Sequence, residues 1–197
     1  MSHGNRTHFS ILLRLIHWTM AALILAMIFI GVGMVSTVGP AYSALLQMHR
    51  PIGAALFVLV VLRLAVRLAT GAPALPADLP KAQQFVAKAS HVLLYAAMLT
   101  MPLIGWAMLS AGGFPIVLTK ALSLPAILPH DLRLYFPLRT LHTLVAIAFF
   151  ALILAHLSAA LMHGLIRRDG VLRSMTFGSG RREPIMSPQV DDLDATE

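Results

Sequence analysis

Four histidines stand at spacings that suit metal chemistry: His17, His49, His142 and His156. Two of them close the stretch LHTLVAIAFFALILAH, residues 141–156, in which Thr143 is the only polar residue between the rings. On an α-helix that fourteen-residue step advances about 21 Å and leaves a rotation of about −40°. His142 and His156 therefore share one face at two depths. His17 lies in another apolar run at the depth of His156, and His49 opens a third at the depth of His142. Two neutral imidazoles from different helices can hold one haem iron from its two faces, and bundles build such sites from inward-facing side chains. The pattern predicts two b-type haems, each bis-histidine and non-covalent. Taken singly, each histidine also reads as an isolated polar residue at an interface, but that does not explain the pairing by depth.

The residues one turn beyond the four are Ala21, Gly53, Ala146 and Ala160, small enough to leave room for a porphyrin plane on the same face. The corresponding residues after His91, His130 and His163 are Tyr95, Leu134 and Arg167. His163 is the rival to His156 on the last helix. It sits beside Arg167 and Arg168, at the expected water boundary, and is set aside on that ground.

The elements that position these rings are membrane helices. Of 197 residues, 58% are hydrophobic and 12% charged, about half the charge of an ordinary soluble domain. Mean hydropathy is +0.80. Runs of about twenty apolar residues span a bilayer, and four occur, at roughly 10–35, 49–69, 89–111 and 139–164. The expected fold is all-α, an integral membrane four-helix bundle. The first run is too long for a signal peptide and lacks a cleavage site. With no cysteine, disulfides, cysteine-ligated clusters and covalent c-type haem are excluded.

Eleven of the fifteen Lys and Arg fall before the first run, around the second connection or after the fourth run; Arg50, Lys120, Arg133 and Arg139 fall on the other side. Positive residues favour the cytoplasm, so both termini are expected there, with connections 36–48 and 112–138 outside. This bias accounts for the pI near 10.8 without nucleic acid. None of the eight carboxylates lies in a span, which counts against a proton- or cation-coupled transporter. A histidine-containing transporter without haem is the reading from another class. Residues 177–197 are rich in Gly, Pro and acidic side chains and are expected to be a disordered tail.

Ordered motifs carry a resemblance: RLIHW (14–18), QMHRPIG (47–53), VLRLAVRL (61–68), HVLLYAAMLTMPLIGW (91–106) and the His-x13-His pair. Over about residues 8–176 the chain resembles the bacterial cytochrome b561 family, related to the cytochrome b subunits of nickel hydrogenases. The resemblance implies haem ligation by His17 with His156 and by His49 with His142. It implies electron transfer across the bacterial inner membrane, with ubiquinone as acceptor or donor. One branch looks like a superoxide oxidase, which makes superoxide:ubiquinone oxidoreductase activity one reading. The other is a cytochrome b subunit serving a partner dehydrogenase or hydrogenase.

The remaining polar residues fit around the haems. Arg63 follows His49 by fourteen residues and is costly in lipid unless paired, so a haem propionate is its expected partner. Arg67 can equally well reach the headgroups. Arg50 and Arg139 stand beside the outer ligands and could pair with that haem's propionates. His91 and Tyr95 share a face and could hydrogen-bond a propionate or a quinone carbonyl, or simply pack.

Overall fold

In a computed structural model the described residues are 8–71, 73, 78–119 and 121–176. Four long helices dominate: α1 Ile11–Ser36, α2 Pro40–Thr70, α3 Lys81–Ala111 and α4 Leu132–Leu161. All four are long and apolar enough to cross a membrane, which is the all-α four-helix architecture expected. A helix satisfies its own backbone hydrogen bonds, as lipid requires.

The ends are set locally. Ser10 Oγ accepts from Leu13 N at 3.3 Å at the start of α1. At the start of α4, Asp131 Oδ1 accepts from Arg133 N at 2.8 Å. Gly71, at φ 72°, closes α2 with its N–H on Arg67 O.

Three helices start earlier than the apolar runs. Helix α2 begins at Pro40, so His49 lies more than two turns inside it rather than opening it. Pro40 occupies the first turn, where its missing N–H costs nothing and its fixed φ favours the helix. The connection expected at 36–48 shrinks to three residues, 37–39. Helices α3 and α4 likewise gain their first turns from the Lys81–Lys88 segment and from Leu132 onward. Pro51, Pro102 and Pro137 all lie inside helices.

The apolar connection between α3 and α4 folds over the bundle as a hairpin, β1 Ile116–Thr119 antiparallel to β2 Leu122–Leu124, with β1 packed on α2 and α3. Trp106 Nε1 donates to Pro125 O at 2.8 Å, and Ile127 N donates to Ser110 Oγ at 3.1 Å. These bonds tie the segment after the hairpin to α3.

Helix α1 packs on α2, α3 on α4, and α2 on α3. Ile16, Met20 and Val60 form the buried centre between α1 and α2, with Tyr95, Met98 and Leu99 of α3 against it. Helix α4 buries no side chain fully, and its backbone makes no comparably close approach to α1 or α2. Past α4 come a π-helical turn, Met162–Arg167, and a 3-10 turn, Arg173–Met175. The second returns to α1: Phe9 N donates to Ser174 O at 3.2 Å and Trp18 Nε1 to Met175 O at 2.9 Å. The tail from 177, Lys120 and residues 72 and 74–77 of the connection between the second and third helices lie outside the described residues.

Candidate functional site

His49 of α2 and His142 of α4 come together below the hairpin. Their ring centroids are 6.3 Å apart and their planes are inclined at 63°. Imidazole nitrogens bind metals at about 2 Å. With roughly 1 Å from nitrogen to ring centre on each side, two rings gripping one metal from opposite sides stand about 6 Å apart. Nδ1 of both rings is buried without a hydrogen-bond partner among the described residues. A buried polar group left so costs on the order of 1–3 kcal/mol. Two rings at this spacing, each with a nitrogen unmet among the described residues, could each give one nitrogen to a single metal.

Among the described residues no three His, Asp or Glu gather into a metal-binding group. A bare ion would find too few side-chain ligands among the described residues, whereas a haem would bring ring nitrogens of its own. The donor set therefore suits haem.

Gly105 of α3 also belongs to this site, with no signal in the sequence beyond its place in HVLLYAAMLTMPLIGW. A Cβ there would lie 3.4 Å from His142 Cε1 and 3.7 Å from Nδ1. The missing side chain lets the His142 ring lie against α3. Gly53 differs: a Cβ there would meet only Met27 Cε, at 3.7 Å. Helix packing does not demand that glycine, although it costs helix stability.

At the end where α1 begins and α4 finishes, His17, His91, His156 and Arg63 are within electrostatic range of one another. His91 stands against His156 here, with centroids 5.6 Å apart and planes at 76°, while His17 stacks edge-on against its own neighbour Trp18 at 5.5 Å. His91 Nδ1 lies 2.7 Å from Ala87 O. A carbonyl only accepts, so Nδ1 carries the proton and Nε2 holds the lone pair. Depth alone did not reveal that His91 sits beside His156.

Arg63 is 8% exposed. Its guanidinium lies 5.5 Å from the centre of the Tyr95 ring, a cation–π contact. Arg63 Nε and Tyr95 OH are both buried without hydrogen-bond partners among the described residues. Burial argues against Arg63 snorkelling to the headgroups. Arg67 instead lies over Phe9 at 5.5 Å. Near the hairpin, Arg50 donates from Nη1 to Pro115 O at 3.2 Å, while its Nε has no partner among the described residues. Arg139 is exposed, one turn before His142.

His163 falls in the π-helical turn and is engaged elsewhere. Its Nδ1 donates to Asp169 Oδ2 at 2.6 Å, and Arg167 bridges Asp169 and Asp78. Burial alone would raise the Asp169 carboxyl. The hydrogen bonds from His163 and Val171 N–H, the His163 charge and the bond from Arg167 outweigh it and hold the group below 3.8.

No curated protein matches the chain. A family model described as prokaryotic cytochrome b561 matches residues 8–178. Four apolar helices, paired imidazoles between them and a match across most of the sequence lead to one conclusion: the chain belongs to the prokaryotic cytochrome b561 family.

Proposed function

We propose that this chain is a dihaem cytochrome that carries electrons between a donor on the hairpin side and membrane quinone. By family it is a b-type cytochrome of electron transfer, multi-pass in the bacterial inner membrane. His49 with His142 would hold one haem, and His17 with His156 a second, about 21 Å along α4. The observation that carries this reading is the His49–His142 spacing of 6.3 Å with both Nδ1 atoms unmet. Bound haem supplies reversible one-electron exchange at its iron.

The chain's own residues hold, orient and enclose. Gly105 sets the His142 ring against α3. Arg63, buried beside Tyr95, presents a positive charge suited to a propionate, and Arg50 and Arg139 offer the same at the other end. The hairpin covers α2 near His49 through the Arg50–Pro115 bond. Tyr95 OH, a donor without a partner among the described residues, is the candidate to bind a quinone carbonyl, and His91 Nε2, which holds a lone pair, is the candidate to accept from a quinol hydroxyl.

The donor is read as superoxide. The hairpin side holds Arg50, Arg133 and Arg139 against Asp131, and the sequence adds Lys120 between the two strands; such a basic field attracts a small anion, less so as salt screens it. Each superoxide gives up one electron and leaves as dioxygen. Two such electrons and two protons convert a quinone to its quinol. The test is stopped-flow haem reduction in a superoxide-generating mixture without quinone, with and without superoxide dismutase. Reduction should be fast, abolished by dismutase and slowed by salt or by Arg139→Gln. A rate unaffected by dismutase rejects superoxide and leaves a protein or quinol donor.

A further inference from the structure

The π-helical turn at the end of α4 opens onto a cleft of about 350 Å³ lined by Gly164, Arg168, Gly170, Leu172, Arg173 and Thr176. We propose that this cleft binds the phosphodiester of an anionic phospholipid, with Arg168 and Arg173 as its cationic contacts.

Charge carries the argument first. The described carboxylates near this end are Asp78 and Asp169, and both are already engaged by Arg167. Asp169 also accepts from His163 and from Val171 N. Among the described residues Arg168 and Arg173 make no ion pair, and the only side-chain bond recorded for Arg168 runs from Nε to Leu165 O. Two arginines thus share a cleft that no acidic residue lines among those described.

Backbone geometry is the second observation. Arg168 has φ 53° and is the one non-glycine residue with positive φ among those described. That conformation is unfavourable for a side-chain-bearing residue and persists where surroundings impose it, often at ligand sites. Arg173 is held as well. Its turn is tied to α1 by Phe9 N on Ser174 O, Trp18 Nε1 on Met175 O, and Arg14 Nη1 on Thr176 O at 2.7 Å.

Apolar surroundings separate a lipid from free phosphate. Leu165 and Ile166, in the same π-helical turn, are 64% and 78% exposed at the end of a membrane span. They offer acyl chains a surface beside the charged cleft. Basic pockets at this boundary are suited to anionic headgroups.

The test uses the full-length protein, purified with its cofactor. Retained lipid is counted by native mass spectrometry, and thermal unfolding is followed with added phosphatidylglycerol, phosphatidylcholine or inorganic phosphate. Wild type should retain phosphatidylglycerol preferentially and be stabilised by it alone. Arg168→Gly suits the positive φ and keeps the fold; it should weaken retention about fivefold, as should Arg173→Gln, from roughly 1 kcal/mol per basic residue. Lys88→Gln, an equal charge loss at the same end, should leave retention unchanged. Equal retention of the two lipids, equal stabilisation by inorganic phosphate, or wild-type retention by Arg168→Gly with Arg173→Gln would overturn the proposal.

Discussion

His49 and His142 face each other with ring centroids 6.3 Å apart, although α2 and α4 do not pack closely along their backbones. A contact made by two imidazoles across otherwise separated helices is poor packing and good ligation. Both rings leave a buried nitrogen unmet, so removing either should damage the holoprotein more than the cofactor-free fold.

Gly105→Val should disturb the same site. Even a Cβ at position 105 stands 3.4 Å from His142 Cε1, and the branches beyond it must displace the ring. Haem content should fall toward one per chain while the helical circular-dichroism signal is retained. Wild-type haem content would show that His142 does not depend on Gly105.

Arg63→Leu removes a buried cation beside Tyr95. A positive charge near a haem favours the reduced form, so its loss should lower the midpoint potential of one haem. The fall should be several tens of millivolts, since about 59 mV is a tenfold change in a one-electron equilibrium. Arg63→Lys should recover part of it. A redox titration with both potentials unchanged would place Arg63 away from either cofactor.

Asp169 gives the chain's end a pH dependence. Its folded carboxyl titrates below its ordinary 3.8. The stability it contributes is therefore complete above 3.8 and lost as pH falls through the lower folded value. Wild type should melt above Asp169→Asn at pH 7, and the gap should close in acid. A gap independent of pH would mean that the charge is not what matters.

Both termini should face the cytoplasm. A reporter active only in the periplasm, fused after Glu197, should be silent. Activity would invert the orientation and move the donor to the other face.

Hydropathy made the four spans legible because lipid demands long apolar helices. It misplaced the start of α2, since Pro40 and the following AYSALLQ prolong the helix beyond the apolar run. The hairpin was invisible because its residues are apolar without strict alternation and pair across a turn. Depth along a helix can be counted from sequence, and it sorted His49 with His142. Lateral neighbours cannot be counted that way, so the approach of His91 to His156 and of Gly105 to His142 emerged only when the helices were assembled.

The most direct measurement is haem stoichiometry by pyridine haemochrome, together with reduced-minus-oxidised spectra of single alanine variants. Two haems per chain are expected. His49→Ala and His142→Ala should lose the same spectral component, His17→Ala and His156→Ala the other, and His163→Ala should keep both. One haem per chain, or loss of a component in His91→Ala while His17→Ala keeps both, would contradict that expectation.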